Sequence, residues 1–197
     1  VDYSNTSAIF VKKKDYEIRA SAGERAAWAV MYDEDCVNIL EKVFTQWNDY
    51  EWLREFFTKH VDDLATFFHI TDIDRAVFDT VDDANELECL IMDLNPDADL
   101  DELFRPLENT RMSEVILGRE KAKGRFNMHA SWLRLYAIRL ESGRYIITGG
   151  AIKLTATMQE REHTLMELAK LNKVRDYLIS IGIFDYNGFE DYHESDD

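Results

Sequence analysis

Four cations crowd one short stretch, SWLRLYAIRLESGRYIITGGAIKLT (131–155): Arg134, Arg139, Arg144 and Lys153. Cations fixed on a rigid element beside an aromatic ring can grip a phosphate while the ring stacks a base. The stretch reads as a β-meander. A first strand spans Trp132–Leu140, Glu141-Ser142-Gly143 makes a turn, and a second strand spans Arg144–Thr148. Gly149-Gly150 permits a bend or bulge before a third strand, Ala151–Thr155. Side chains alternate along a strand. If Leu133, Leu135 and Ala137 face the core, Arg134 and Tyr136 face outward together, and the parity of Lys153 lets it join them. One expectation is an open cationic sheet face. The other is that these cations are internal partners for the many carboxylates of residues 34–102.

Other arrangements point to less. The pairs Asp33/Asp35, Asp62/Asp63, Asp72/Asp74 and Asp82/Asp83 lack the alternating oxygen ligands and central Gly of a calcium loop, so they read as solvated helix faces and no metal is expected. ITGGAIK lacks the spacing and terminal Ser/Thr of a phosphate loop. No Ser/His/Asp order is readable. Cys36 and Cys89 stand apart with no partner at metal spacing and are expected to be reduced core thiols. Trp28, Trp47 and Trp52 are expected to be core or interface anchors.

The elements that would carry these residues follow from periodicity. AIFVKKKDYEIRA (8–20) reads as two short extended runs, and AAWAVMY (26–32) as a further strand. From Glu34 to Phe68 apolar residues recur every three or four positions: Val37, Leu40, Phe44, Trp47, then Leu53, Phe56, His60, Leu64, Phe67. That spacing predicts helices over 34–47 and 49–68, with Asn48 or Asp49 capping the second. A helix starting at Thr71 or Asp72 would bury Val77, Val81, Ala84, Leu87 and Ile91 and stop at Pro96. A short helix over 98–107 would end at Pro106, and 114–130 would start as a strand and continue as a mobile loop. TMQE (157–160) fits a capping box. A helix buried through Leu165, Leu168, Leu171, Val174 and Leu178 would follow it and end at Gly182. The acidic residues after it are expected to fray.

The chain has 197 residues and a formal net charge of −16. Residues 1–100 hold 9 Lys/Arg against 23 Asp/Glu, residues 101–182 hold 14 against 10, and 183–197 hold none against 6. The chain-wide charge repels nucleic acid, whereas the basic middle segment leaves such binding open. No apolar run is long enough to cross a membrane, and no signal-peptide pattern opens the chain. A cytoplasmic protein without a membrane partner is expected, with a leader ahead of Val1 left open. The expected class is α+β: an antiparallel β-meander packed on helices, with an acidic N-terminal helical addition. Three parts are expected within one compact unit: 1–100, 101–182 and an acidic tail, 183–197.

The order LFRPL, polar loop, LRLYAIRL, tight turn, YIITGGAIKLT and a final helix containing ELAKL resembles the RelE/ParE family of toxin-antitoxin toxins over residues 100–182. The resemblance implies a small twisted antiparallel sheet packed against a helical hairpin. It also implies cleavage of messenger RNA on the ribosome without metal or other cofactor, or poisoning of DNA gyrase in a second branch. Cleavage requires in-line attack by the 2′-hydroxyl, cations on the phosphate and assistance to the leaving 5′-oxygen. By resemblance, Arg134, Arg139, Lys153 and His163 are catalytic candidates, and Tyr136, Arg144, Arg125 and Lys123 contact RNA. The implied partners are a ribosome or mRNA and a small helix-turn-helix antitoxin. The acidic helices or tail would mask the sheet as an antitoxin does. A function of another class fits the same charges: a non-catalytic acidic interaction module that engages a basic protein, such as a DNA-binding regulator.

Overall fold

The alternating run at 132–140 and the glycine-containing turn after it build the centre of the molecule. The computed structural model describes residues 18–19, 26–32, 35–92, 100–107, 117–125 and 130–195. Strands β1 (Ile18–Arg19), β2 (Ala26–Ala29), β3 (Phe104–Pro106), β4 (Gly118–Arg125), β5 (Ala130–Glu141) and β6 (Arg144–Ile152) form one sheet in the order β1-β2-β6-β5-β4-β3. All pairings are antiparallel except β2 with β6. The helices are α1 (Ile39–Trp47), α2 (Tyr50–Lys59), α3 (Val61–Phe68), α4 (Ile73–Ile91), α5 (Leu100–Leu103), α6 (Glu162–Ser180) and α7 (Tyr186–Ser195). The chain is α+β, and its buried apolar residues form a single cluster that runs from Ala27 to Phe189. None of the described helices is long and apolar enough to cross a membrane.

Local chemistry fixes the helix starts. The side chains of Asn38, Asp49 and Asp72 accept the first free backbone N–H groups of α1, α2 and α4. Asn48 instead terminates α1. The predicted helix over 49–68 breaks at His60, where α2 ends and α3 begins. The predicted face of α4 is buried at Val77, Val81, Ala84, Leu87 and Ile91.

Five expectations are corrected. The third meander strand does not exist by itself: β6 runs unbroken from Arg144 to Ile152, and its register against β5 slips between Tyr136↔Gly149 and Ala137↔Ile147. Thr148 is the extra residue of that bulge and donates its hydroxyl to the Tyr136 carbonyl at 3.2 Å. Residues 118–125 are strand rather than loop, because β3 and β5 pair with β4 from both sides. The capping box at Thr157 and Glu160 is present but closes a 3₁₀ turn ahead of α6, and Leu165 is exposed. The acidic tail folds as α7, with Phe189 buried edge-on to Trp28 at 5.0 Å. Cys36 and Cys89 are free but exposed, not core thiols. Trp28 and Trp47 are core anchors. The extended runs of residues 8–20 lie outside the described residues except for β1, as do Pro96 and residues 114–116 and 126–129.

The glycine pair sets the layering. A side chain at Gly150 would strike Val43 and Trp47 of α1, at 2.8 and 3.1 Å from the would-be Cβ. One at Gly149 would strike the Glu167 carboxyl of α6 at 1.9 Å. Successive strand residues point to opposite faces, so α1 lies on one face of β6 and α6 on the other.

Candidate functional site

The register places Tyr136 opposite Gly149 and Arg134 opposite Ala151, so the predicted parity is correct. The face they share is not open. Tyr136 is 1% exposed, and its hydroxyl is buried without a hydrogen-bond partner. Burial pushes its pKa well above the ordinary tyrosine value, with the Glu167 charge adding to the rise and Arg134 opposing it. Arg134 is half-buried and donates to the carbonyls of Ser131 and Leu133 at 2.8 and 2.6 Å. Lys153 curls onto the carbonyls of Thr155 and Ala156 at 2.6 and 2.7 Å.

The other cations are spent at the β5–β6 turn. Arg144 pairs with Glu141 and stacks over the Tyr186 ring, 3.7 Å from its centroid. Arg139 reaches the Glu141 carbonyl at 3.3 Å and lies 3.6 Å from Asp101. Asp101 also accepts the Gly143 N–H and the Ser142 and Tyr145 hydroxyls. Burial opposes its ionisation, but these donors and Arg139 outweigh burial and hold its pKa below the usual carboxylate value. Lys123 pairs with Arg134 and Arg125 with Ala130 through the β4 backbone, and their side chains lie outside the described residues. The predicted site is therefore scattered: Tyr136 under α6, Arg134 on the carbonyls of its own strand, Arg139 and Arg144 at the turn, Lys153 folded onto its own chain.

His163 has a different fate. It stands in a groove of about 630 Å³ along β6 at Gly150–Ile152, between the α1–α2 side and α6. β2 ends at Ala29, opposite Ile147. Beyond that point, side chains meet the outer edge of β6. The Tyr32 hydroxyl donates to the Thr148 carbonyl at 2.7 Å, and His163 Nε2 lies 2.9 Å from the Ile152 carbonyl. A carbonyl only accepts, so Nε2 carries the hydrogen and Nδ1 is the acceptor of the neutral ring. The Gly150 N–H faces the Glu167 carboxyl and favours its charged form. These three side chains stand where the backbone of another strand would pair.

The opposite wall comes from the one-face spacing of Trp52, Phe56 and His60 on α2 and its cap. Trp52 and Phe56 stack at 5.4 Å with 23° between ring planes. Phe56 packs on His60 at 4.6 Å and edge-on to His163 at 5.3 Å, and the two histidine rings are 5.3 Å apart. Burial lowers the His60 pKa, and His163 lowers it further against the opposing pull of Asp63. Asp63 holds Arg161 with two oxygens at 2.5 and 2.7 Å, so that guanidinium enters the groove with its charge cancelled. Its hydrogen bonds to Arg161 keep the Asp63 pKa below the usual range. Glu167 pairs with Lys170 through Oε1 at 2.5 Å, yet its Oε2 is buried and has no partner. Burial raises the Glu167 pKa, and Lys170 and the Gly150 N–H only partly offset the rise.

Sequence reasoning found His163 and missed His60, Glu167 and the Trp52–Phe56 wall. The signal was present. His163 and Glu167 are four apart and share one helix face, as do Trp52, Phe56 and His60 at successive intervals of four. Among the described residues no group of three or more His, Cys, Asp or Glu is placed to hold a metal ion. Comparisons with models of protein families, with curated proteins and with solved structures find no match for this chain.

Proposed function

We propose that the chain is a non-catalytic acidic recognition module for a basic protein partner, such as a DNA-binding regulator. One contrast carries this reading. The cations of β5 and β6 are engaged within the chain, whereas many acids of the helices face outward, with Asp63, Asp83 and Glu167 the buried exceptions and Asp74 paired with Arg54 at the surface. Glu51, Glu55, Asp62, Asp74, Asp82 and Glu86 are all exposed. Exposed like charges of this density steer an oppositely charged partner and repel a polyanion.

The RelE-like, RNA-cleaving reading has narrower support: the antiparallel β4–β5–β6 order followed by α6, an arrangement that unrelated functions share. Of its catalytic candidates, His163 alone lines the groove.

Titration of the full chain with a small basic helix-turn-helix protein, and separately with single-stranded RNA, tests the choice. Binding to the protein that weakens as salt rises, with no binding to RNA, is the expected result. Incubation with ribosomes and message gives the second arm. Cleavage that disappears in an Arg134→Ala, Lys153→Ala double variant would overturn the module in favour of the toxin-like reading.

A further inference from the structure

A buried carboxylate oxygen without a donor costs free energy, and the fold keeps Gly149 free of a side chain at the spot that this carboxyl occupies. Both observations concern Glu167, a lining residue of the groove over β6. A donor entering through the groove would reach Oε2 once the Glu167 side chain turns off Gly149, and would then favour the charged form of the acid.

The remaining walls define that donor. Trp52 and Phe56 present a stacked aromatic pair. Glu55 and Glu162 add carboxylates at exposed rim positions. Arg161 contributes little net repulsion because Asp63 neutralises it, which leaves two opposing charges: the exposed Lys59 at the end of α2, and Lys170, which is paired with the other oxygen of Glu167. His60 resists protonation, so it adds an uncharged ring at neutral pH. A planar cation with several donors suits this set better than a compact one. A guanidinium stacks on aromatic faces and bonds carboxylates in its own plane, whereas an ammonium is strongly hydrated and gains less from stacking.

We infer that the groove over Gly150–Ile152 receives an arginine side chain of the basic partner, stacked on Trp52 and Phe56 and hydrogen-bonded to Glu167. The inference rests on the reading of the chain as an acidic module and adds a selectivity to it. Surface charge alone treats arginine and lysine nearly alike. The groove discriminates between them.

The test uses the full chain with nona-arginine and nona-lysine peptides at equal salt, read by isothermal titration. The wild type should bind nona-arginine about ten-fold more tightly than nona-lysine, the scale of one charge-assisted hydrogen bond. Glu167→Gln should remove most of that preference, weakening nona-arginine several-fold more than nona-lysine. Trp52→Leu provides a second variant at a half-buried position and should reduce the preference in the same direction, with thermal melting reporting that each variant is folded. Equal affinity for both peptides, unchanged in either variant, would overturn the groove assignment and leave the acidic module standing. Failure of the wild type to bind either peptide would overturn both.

Discussion

Arg134 and Asp82 represent two regions that handle charge in opposite ways. Arg134 lies in a strand, half-buried, and spends its donors on the carbonyls of Ser131 and Leu133. Asp82 lies on α4 and faces solvent. Arg134 and Lys153 bind backbone carbonyls, and Arg139 and Arg144 fasten a turn through Asp101 and Glu141. Many acids of the helices, Asp82 and Glu86 among them, do the reverse and face solvent. A chain can thus hold a basic segment in sequence without presenting a basic surface. Charge read along the chain becomes charge in space only after its hydrogen-bond partners are known. The groove between these regions belongs to neither pattern, because there a single acid is buried with one oxygen left unmatched.

The contrast can be broken from several sides. Gly150→Ala should have the largest effect, since the new methyl group meets Val43 at 2.8 Å, Leu135 at 3.0 Å and Trp47 at 3.1 Å. A loss of about 1–3 kcal/mol is expected in urea unfolding, the usual cost of overpacking a core. Gly149→Ala meets instead the movable carboxyl of Glu167 and should lose less stability.

Glu167→Gln should come next and should act through pH. Because burial raises the native pKa above the ordinary glutamate value, the contribution of Glu167 is fully present below that ordinary value and is lost as pH rises through the native one. The variant should melt close to wild type near pH 4 and above it at pH 8, by about 1 kcal/mol. A pH-independent difference would remove the claim that burial governs this acid.

Tyr136→Phe removes a buried hydroxyl that has no partner, so stability should hold or rise by up to about 1 kcal/mol. A large loss would reveal a partner for that hydroxyl and reopen the covered sheet face as a polar site. Arg144→Ala should have the smallest effect, within about 0.5 kcal/mol, because its pairing with Glu141 and its stacking on Tyr186 lie near the surface. Measurable gain of RNA affinity in Glu141→Gln, which frees Arg144, would sharpen the contrast by showing that pairing hides the sheet cations.

Local patterns were legible in the sequence wherever local chemistry decides structure. Asp49 and Asp72 cap the helices that their spacing announced, and the parity of Arg134 and Tyr136 on β5 is as alternation requires. Parity could not reveal what covers each face, because α6 reaches Tyr136 from a distant part of the chain. Thr148 hid the bulge, and Gly149-Gly150 read as a break in the strand when their lack of side chains serves close approach on both faces. The basic run at 118–125 resembled a loop because its few apolar residues obscure a strand that pairs on both edges. His163 was visible as a lone histidine. Its partner His60 was hidden in an apolar stripe, and only the fold brings the two rings together.

The parallel pairing of β2 with β6, closed over by Phe189 against Trp28, has a consequence for how the molecule is made. β2 gains its neighbour only after residues 30–143 have been made and β6 follows, and its outer packing only once α7 follows. Long-range pairings of this kind form slowly and leave sticky intermediates. Chains truncated before β6 or α7 should therefore aggregate or be degraded, and a change that displaces α7 should lower the yield of folded protein.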